Sequence, residues 1–273
     1  MRSLLFVPGS RPDRIAKALG AGADAVCIDL EDAVPPDGKT EARASVMAAL
    51  SEPRAQTPRL GFRINPVRTP NGLADLAAYS ASSAAADFIM IPKVSHPVEL
   101  EIIAGALESH ERPHLWPIVE SAEGLSRAYD IAAGPRVQGM LFGGADFAAD
   151  LGTTMEWEPL FHARGTLSAA AAAAGIQLLD VPYLDVNDDE GLAASTARVK
   201  ALGFTGRACI HPKQIAGVNA AFTPTNTEIE QARRVLAAFA QSKGGAALLD
   251  GKLVELPVIR AAERTLQAAG LVE

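Results

Sequence analysis

The sequence predicts an α/β protein of the (β/α)8 TIM barrel class with a C-terminal helix-hairpin-helix extension. Eight short apolar segments recur along residues 3–212, and an amphipathic stretch of helical length follows each of them. The apolar segments are continuous rather than alternating, as in parallel strands that helices cover. An open doubly wound sheet is the alternative. It usually places a glycine-rich phosphate turn after the first strand, and FVPGSRPDR lacks the G-x-G-x-x-G spacing.

Each strand is read from an apolar run and each helix from the stretch behind it. The predicted strands cover residues 3–9, 25–32, 59–66, 87–94, 115–121, 139–147, 176–182 and 205–212. The predicted helices cover residues 11–20, 39–50, 73–80, 97–109, 124–133, 161–174, 189–201 and 213–221. Units of roughly 25–30 residues, repeated eight times, are what a barrel of this class requires.

The end of the chain is surplus to these eight units. We therefore predict a catalytic barrel domain at 1–222 and an extension at 223–273 that serves as a lid or oligomerisation arm. Thr227 is the expected N-cap of the first helix in the extension. Asp250-Gly251 stands between apolar pairs, which predicts a two-residue hairpin turn before a final helix.

Composition excludes several classes of protein. The chain has 25 basic and 32 acidic residues, a net charge of −7, and no dense basic cluster, so we expect no nucleic-acid partner. No apolar run reaches the ~20 residues that a membrane span needs. Cys27 and Cys209 are isolated, which argues against a disulfide scaffold or a zinc site. Because the first residues also lack a secretory signal, we expect a cytoplasmic protein.

Polar side chains stand at the predicted C-terminal ends of the strands, where barrel enzymes place their active sites. The candidates in chain order are Ser10, Arg11, Arg14, Asp29, Glu31, Asp32, Arg63, Asn65, Lys93, Glu120, Ser121, Asp146, Asp180 and His211. Lys93 is disfavoured as a Schiff-base lysine because nothing nearby in the sequence is built to depress its pKa. His211 is more typical of a packed residue at a strand end than of a catalytic base.

Glu120 and Asp146 form the sharpest pair, because they follow neighbouring strands and their carboxylates can converge. Two carboxylates with water in the remaining positions are typical of Mg²⁺ sites. The two glycines before Asp146 allow the backbone to approach a ligand closely. A pair of acids that shares one proton is the alternative interpretation.

Arg63 stands between Phe62 and Ile64, and a guanidinium in such an apolar segment needs an anionic partner. That partner is either a substrate carboxylate or an internal acid, Asp29 or Glu31. Strand alternation places Asp29 and Glu31 on one face and Asp32 on the other, and Asp32 also fits a helix N-cap. Arg63, Lys39 and metal-bound water are therefore the candidate partners of these three acids.

Seven motifs in this order resemble the citrate lyase β-subunit (CitE-like) family, within the HpcH/HpaI aldolase and malyl-CoA lyase group. They are LLFVPGSRPDR, AVCIDLEDAV, FRINP, IMIPKV, VESAEGL, GGADFAADLG and CIHPKQI. The resemblance covers nearly the whole chain. It implies a (β/α)8 barrel, trimeric or hexameric, that cleaves or forms a carbon–carbon bond next to a thioester.

The resemblance also implies roles for single residues. Glu120 and Asp146 would bind Mg²⁺, with Glu120 also at the substrate, and Arg63 would contact the substrate as a catalytic residue. Arg14 and Lys17 would lie near the nucleotide or pantetheine end. The acids Asp29, Glu31 and Asp32 would surround the metal ligands without binding the ion directly.

One position departs from the related acyl-CoA lyases. Their tail motif carries an aspartate that reaches a neighbouring subunit's active site, and KLVELP places Glu255 there instead. The resemblance implies that Glu255 moves a proton between the enolate carbon and solvent, while the extra methylene changes its reach.

The leading functional prediction is a Mg²⁺-dependent lyase that splits a citryl-CoA or citryl-carrier-protein thioester into an acetyl thioester and oxaloacetate. The alternatives are a malyl-CoA or citramalyl-CoA lyase, a synthase-like condensation, and a regulatory barrel that only binds acyl-CoA. The expected partners are the acyl-CoA or acyl-carrier-protein thioester, a keto acid and further copies of the chain. Citrate lyase α and γ subunits are additional candidates, and no membrane partner is expected.

Overall fold

Eight parallel strands close into a barrel in sequence order, with helices between them. The structure, a computed structural model, describes residues 1–54, 57–108, 110, 113–241 and 247–271. The strands are β1 (Ser3–Pro8), β2 (Ala25–Asp29), β3 (Arg59–Arg63), β4 (Phe88–Ile91), β5 (His114–Val119), β6 (Gly139–Phe142), β7 (Gln177–Asp180) and β8 (Gly206–Cys209). β1 pairs with both β2 and β8, which closes the barrel and confirms the predicted fold class.

The helices follow the strands as predicted, with two differences: the helix Gly144–Leu151 was not predicted, and the helix predicted at 124–133 is divided in two. They are α1 (Pro12–Leu19), α2 (Lys39–Ser51), α3 (Pro70–Ser80), α4 (Val98–Ala106), α5 (Ala122–Ser126), α6 (Ala128–Ala132), α7 (Gly144–Leu151), α8 (Trp157–Ala174), α9 (Asp189–Ala201) and α10 (Lys213–Phe222), with a 3-10 turn at Pro36–Gly38 before α2. The single helix predicted at 124–133 is wrong, because the chain breaks at Arg127 into α5 and α6.

Local sequence accounts for where helices begin. Pro70 opens α3, and the Thr69 hydroxyl accepts a hydrogen bond from the Gly72 N–H at 3.1 Å. Asp188 caps α9 in the same way, through a 2.8 Å hydrogen bond from the Gly191 N–H. Each cap satisfies an N–H group that has no partner within the helix.

The strands pack an apolar interior beneath the mouth of the barrel. The interior cluster consists of Leu4, Ala25, Cys27, Phe88, Met90, Trp116, Ile118, Leu141, Leu179 and Ala208. Because this interior is filled with side chains, ligands have room only at the strand ends, where polar residues replace apolar ones.

The chain divides into two units, Met1–Asn219 and Ala220–Glu273. The second unit contains α11 (Asn226–Gln241), a hairpin of β9 (Ala247–Leu249) and β10 (Lys252–Val254), and α12 (Leu256–Ala268). The role of this unit as a lid or oligomerisation arm stays a prediction. No helix in the described ranges is both long and apolar enough to cross a membrane.

Within the second unit, one prediction is confirmed and one is wrong. The hairpin turns at Asp250 and Gly251, whose φ angles of 50° and 75° are left-handed, as a tight two-residue turn requires. Thr227 is not the cap of α11. Thr225 takes that place, since its hydroxyl accepts from the Glu228 N–H at 3.2 Å while the Glu228 carboxylate accepts from the Thr225 N–H at 2.7 Å. This reciprocal pair is a capping box.

Candidate active site

A cavity of about 430 Å³ opens at the C-terminal ends of the barrel strands. Its polar lining consists of Asp29, Asp32, Arg63, Glu120 and Asp146. The remaining wall is apolar or glycine and includes Phe6, Val7, Pro8, Ala33, Ile118, Leu141, Gly143, Ala145, Val181, Pro182, Leu184 and Ile210. The cavity therefore combines a small charged patch with an apolar wall, which is the usual character of a small-molecule site.

Arg63 ends β3 beside its register partner Asp29 at the end of β2. Its Nε and Nη2 donate to the two carboxylate oxygens of Asp29, each at 2.7 Å. Its Nη1 lies 2.8 Å from Glu31 Oε2 and 3.5 Å from Asp32 Oδ2, and its guanidinium stands over the Phe6 ring at 5.1 Å. The internal ion pair is therefore present, and the same guanidinium also lines the cavity.

The three acids around Arg63 do not follow the predicted alternation. Asp29 is the last residue of β2, so Glu31 and Asp32 belong to the loop that follows it. The Asp29 carboxylate accepts hydrogen bonds from the Glu31 N–H at 2.9 Å and the Ala33 N–H at 3.0 Å, which curls the loop. The prediction that Asp32 faces away from Glu31 is therefore wrong, because both carboxylates reach Arg63.

Burial and charge act in opposite directions on this group. Burial alone would lower the pKa of the Arg63 guanidinium, but its hydrogen bonds with Asp29 and the nearby Glu31 and Asp32 charges raise that pKa. The pKa of the Glu31 carboxyl is raised, mainly by burial, although Arg63 and Lys93 oppose the shift. Arg63 consequently stays charged at every working pH.

Lys93 connects two acids of the site. Its ammonium donates to Glu31 Oε1 at 2.9 Å, and its backbone N–H donates to Glu120 Oε1 at 2.6 Å. Desolvation alone would lower the pKa of the Lys93 ammonium, but the Glu31 contact and the charges of Asp146 and Asp32 raise it. A raised pKa is the opposite of what an imine-forming lysine needs.

Glu120 follows β5 and is 5% exposed. Burial, together with the nearby charges of Glu31 and Asp146, raises the pKa of the Glu120 carboxyl to about 8, although the Lys93 N–H opposes the shift. The ionised form of Glu120 is thus unfavourable at this position unless a cation binds beside it.

The segment after β6 brings Asp146 into the same cavity. β6 ends at Phe142, so the predicted strand at 139–147 is too long, and Asp146 lies in the first turn of α7. A carboxylate there is stabilised by the positive end of the helix dipole. A Cβ atom at Gly143 would lie 2.4 Å from Glu120 Oε2, which is a steric clash. Glycine is therefore required here for the Glu120 carboxylate to keep its position.

These residues fit a divalent cation. Five carboxylates (Asp29, Glu31, Asp32, Glu120 and Asp146) surround two cations, Arg63 and Lys93, as the contacts and charge effects above show. No group of three or more His, Cys, Asp or Glu side chains within the described ranges is arranged to hold a metal. Glu120 and Asp146 both line the cavity and stay the predicted ligands of the ion, with water and substrate for the other positions.

A family model described as HpcH/HpaI aldolase/citrate lyase matches residues 2–212. The chain belongs to this family. It is 39% identical to a (3S)-malyl-CoA thioesterase of Cereibacter sphaeroides, over 98% of this chain and 94% of the relative. It is 35% identical to an L-malyl-CoA/beta-methylmalyl-CoA lyase of the same species, over 99% of this chain and 95% of the relative.

A solved structure of the family matches the fold of the whole chain. CitE of Mycobacterium tuberculosis, in complex with magnesium, acetoacetate and coenzyme A, is 34% identical and superposes with a TM-score of 0.84. The match covers 98% of both chains. The predicted resemblance to the citrate lyase β-subunit group of the HpcH/HpaI family is therefore confirmed.

Three further residues are expected at a family active site. Arg14 and Lys17 are exposed on α1 and do not belong to the described lining of the cavity. Glu255 is exposed at the N-cap of α12, and its side chain makes no capping hydrogen bond. The roles of these three residues stay predictions. Asp180, one of the strand-end candidates, is fully buried away from this cavity and pairs with Arg164 and Arg207.

Lys93 has a structural role that was not predicted from the sequence. Its ammonium holds Glu31 and its backbone N–H holds Glu120, so the side chain is not placed as a nucleophile. The sequence could have indicated this role, because the strand ends carry more carboxylates than cations and buried carboxylates need a positively charged partner.

Proposed function

We propose that this protein is a Mg²⁺-dependent carbon–carbon lyase of the family, which splits a β-hydroxyacyl-CoA thioester into an acyl-CoA and an α-keto acid. The observation that supports this proposal is that Glu120, Asp146 and Arg63 line the same cavity, in a barrel that belongs to this family. A protein that only binds thioesters has no use for a buried carboxylate that requires a cation.

Glu120 and Asp146 would hold the ion. When bound there, Mg²⁺ supplies a Lewis acid and a template for the oxygen atoms of the keto acid. Without it, Glu120 would be protonated over much of the working pH range, since its pKa is raised to about 8. Gly143 keeps the space beside Glu120 Oε2 clear.

Cleavage breaks the bond between the hydroxyl-bearing carbon and the carbon next to the thioester. The hydroxyl loses its proton, the bonding electron pair passes to the thioester enolate, and the enolate carbon takes up a proton. Arg63 places a fixed positive charge at the cavity wall, where it stabilises the enolate oxygen or a carboxylate. Asp29 orients that guanidinium through two hydrogen bonds. Glu255 of a neighbouring subunit is our candidate for the proton transfer at carbon.

The charges of the cavity favour a keto acid with a single carboxylate. In its described lining, Arg63 is the one cation, and Asp29, Glu31 and Asp32 already contact it. The second carboxylate of oxaloacetate would therefore find no free cation in this described lining. It would lie against other carboxylates or against the apolar wall, and both positions are unfavourable for a negative charge. The product of a malyl-type thioester, glyoxylate, has no second carboxylate. We accordingly place malyl-CoA and its methyl derivatives ahead of citryl-CoA as substrates.

Hydrolysis of the thioester is the second candidate. It is favoured by the relative at 39% identity, which is a (3S)-malyl-CoA thioesterase. The two reactions differ in their products. A lyase releases glyoxylate and acetyl-CoA with no free thiol, whereas a thioesterase releases malate and free coenzyme A.

The deciding experiment incubates purified protein and Mg²⁺ separately with malyl-CoA, citramalyl-CoA and citryl-CoA. Keto acid is followed as its phenylhydrazone and free thiol with a thiol reagent, with Glu120→Gln as the inactive control. Keto acid from malyl-CoA without thiol supports the lyase. Thiol without keto acid supports the thioesterase. Turnover of citryl-CoA alone would contradict the charge argument, and no turnover at all would overturn the proposal.

The assembly follows from the same proposal. If Glu255 acts in a neighbouring barrel, the working protein is a homo-oligomer, which the family resemblance implies to be a trimer or hexamer. Light scattering coupled to gel filtration measures that mass. The names of the relatives support coenzyme A rather than a carrier protein as the acyl carrier. The α and γ subunits of citrate lyase stay a prediction, as does placement in the cytoplasm.

A further inference from the structure

A second charged cluster lies outside the active cavity, between the barrel and its helices. Asp180 at the end of β7 accepts a hydrogen bond from Arg164 Nε of α8 at 3.0 Å and another from Arg207 Nη2 of β8 at 2.6 Å. The three side chains are 0%, 5% and 2% exposed, respectively. One buried carboxylate thus serves two buried guanidiniums.

The other contacts of Arg207 do not balance this charge. Arg207 donates to the hydroxyls of Thr196, at 3.1 Å, and Ser195, at 2.9 Å, both of which are neutral. A buried positive charge without a partner anion is strongly unfavourable, so the second guanidinium requires a compensating negative group.

Arg164 is the less satisfied of the two arginines. Its guanidinium lies between the rings of Phe142, at 5.1 Å, and Trp157, at 5.0 Å, which stabilise its charge but accept no strong hydrogen bond. Its Nη1 is buried and has no hydrogen-bond partner among the described residues, and the same holds for Nε of Arg207. Native proteins rarely leave such donors unpaired unless a ligand or water completes them.

A cavity of about 290 Å³ adjoins the two arginines. Its lining consists of Met155, Arg164, Val181, Pro182, Tyr183, Leu184, Asp185, Ser195 and Arg207. Asp185 is the single acid in this described lining, and it is exposed, with Oδ1 accepting from the Asn187 N–H at 2.9 Å. Val181, Pro182 and Leu184 line the active cavity as well, so the two cavities share a wall.

We propose that this second cavity binds a small free oxyanion of the phosphate or short-chain carboxylate class, held by Arg164 and Arg207 with the Ser195 hydroxyl beside them. The surplus positive charge and the adjoining cavity point to such a ligand, and the unpaired N–H groups show that both guanidiniums lack a full set of hydrogen-bond partners among the described residues. The cavity is large enough for phosphate. The site is independent of the lyase chemistry, because neither arginine lines the active cavity.

The test titrates the Mg²⁺-loaded protein with inorganic phosphate and, separately, with acetate. Binding is measured by calorimetry and by the shift in melting temperature, with sodium chloride at equal ionic strength as the blank. We expect saturable binding of at least one oxyanion and no saturable effect of chloride. The same titration of Glu120→Gln must give the same affinity, since a loss there would move the anion to the magnesium site and overturn the proposal.

Ser195→Asp supplies the sharpest variant, because it places a tethered carboxylate where the oxyanion is proposed. We expect it to raise the melting temperature in anion-free buffer and to abolish oxyanion binding. Ser195→Asn is the matched neutral control and should do neither. Equal melting temperatures of the two variants, with oxyanion binding intact in Ser195→Asp, would overturn the proposal.

Arg164→Met keeps the packing between Phe142 and Trp157 and removes the cation. We expect the oxyanion affinity to fall by about tenfold or more, as for loss of one charge-assisted contact. Should this variant fail to fold, the Ser195 pair still decides the matter. Coenzyme A provides the last arm. Competition with phosphate would assign the arginines to the thioester's own phosphates and overturn a separate small-anion site.

Discussion

The backbone N–H of Lys93 donates a 2.6 Å hydrogen bond to Glu120 Oε1, and Lys93 reaches this position with a left-handed φ of 54°. A residue other than glycine, asparagine or aspartate is uncommon in that region of backbone space. The same residue holds Glu31 through its ammonium at 2.9 Å. Lys93 thus fixes one carboxylate by its backbone and another by its charge, and the strained backbone is located at the proposed metal ligand.

Glu120→Gln and Asp146→Asn each remove one negative charge from the proposed metal site. We expect either amide to weaken Mg²⁺ binding by more than about tenfold, and to abolish turnover, since Mg²⁺ strongly prefers charged oxygen ligands. Calorimetric Mg²⁺ titration and circular dichroism provide the measurements. Glu123→Gln is the control, because the Glu123 side chain is 57% exposed and its ion pair is with Arg127. Wild-type activity in excess chelator would contradict the metal requirement.

Arg63→Lys keeps a positive charge but cannot make the two hydrogen bonds to Asp29 while contacting Glu31. We expect kcat/KM to fall by roughly 100-fold, a loss of about 3 kcal/mol of transition-state stabilisation, because lysine lacks the two parallel N–H donors of the guanidinium. Arg68→Lys is the matched control, since the Arg68 side chain is 54% exposed and is ion-paired with Glu99. If the Arg63 variant stays within a factor of about three of the wild type, Arg63 is structural.

Gly143→Ala adds a Cβ atom 2.4 Å from Glu120 Oε2 and 2.5 Å from Glu120 Cβ. The Glu120 carboxylate must move, so we expect weaker Mg²⁺ binding and a loss of activity without unfolding. Gly165→Ala, within α8, is the matched control because nothing lies within 4 Å of its added Cβ. That control should keep full activity and raise the free energy of unfolding by about 0.5–1 kcal/mol. Equal activities would show that Gly143 does not set the position of Glu120.

The barrel was predictable because its signals are local and repeated. Continuous apolar runs such as AVCIDL and FIMI are typical of strands covered on both faces, and eight of them in order favour the closed sheet that the structure shows. Boundaries were harder to predict. GGADF continues an apolar strand in sequence, but two glycines and an acid suit a helix start equally well, and the structure begins α7 there.

The site was predictable in its members and less so in its contacts. Strand ends brought Asp29, Arg63, Glu120 and Asp146 to one cavity, as parallel topology requires. Asp180 shows the limit of that rule. It ends β7 as expected, yet its carboxylate faces Arg164, which lies on the helix before β7, and Arg207 on β8. The direction of a side chain at the last residue of a strand depends on these tertiary contacts, which no single segment contains.

The metal-free protein should lose stability as pH rises from about 5 to 8. The pKa of Glu120 is about 8 in the folded chain, above its unfolded value of 4.5, so folding favours the protonated acid. That contribution is fully present below pH 4.5 and is lost as pH rises through 8. It amounts to less than about 5 kcal/mol, since one pKa unit is about 1.4 kcal/mol.

Urea unfolding at several pH values in chelator measures this slope, and Mg²⁺ should reduce it because the ion replaces the proton. Glu120→Gln cannot titrate, so its stability should vary less between pH 5 and 8. The Glu31 carboxyl, whose pKa is also raised, leaves a residual slope of the same sign. Identical slopes for the variant and the wild type would assign the pH dependence to other groups.

Glu255 offers a test of the extension as well as of the chemistry. It follows β10 directly and begins α12, where its backbone C=O accepts hydrogen bonds from the Val258 N–H at 2.9 Å and the Ile259 N–H at 3.1 Å. Its exposed side chain is free of any capping role, so the helix does not need the carboxylate. Glu255→Gln should therefore keep the fold, the oligomer and Mg²⁺ binding, and lose turnover. Glu263→Gln, exposed on the same helix, is the control.

Complementation decides whether the acid works in its own barrel or in a neighbour's. Arg63→Ala lacks the cation at the cavity wall and Glu255→Gln lacks the proton-transferring carboxylate, so each homo-oligomer should be inactive. After dissociation and reassembly together, one barrel can hold an intact Arg63 and borrow an intact Glu255 from a neighbour. We expect partial activity in mixed oligomers that differently tagged subunits verify. Verified mixtures without activity would place Glu255 in its own subunit's site, and full activity of Glu255→Gln alone would remove it from the reaction.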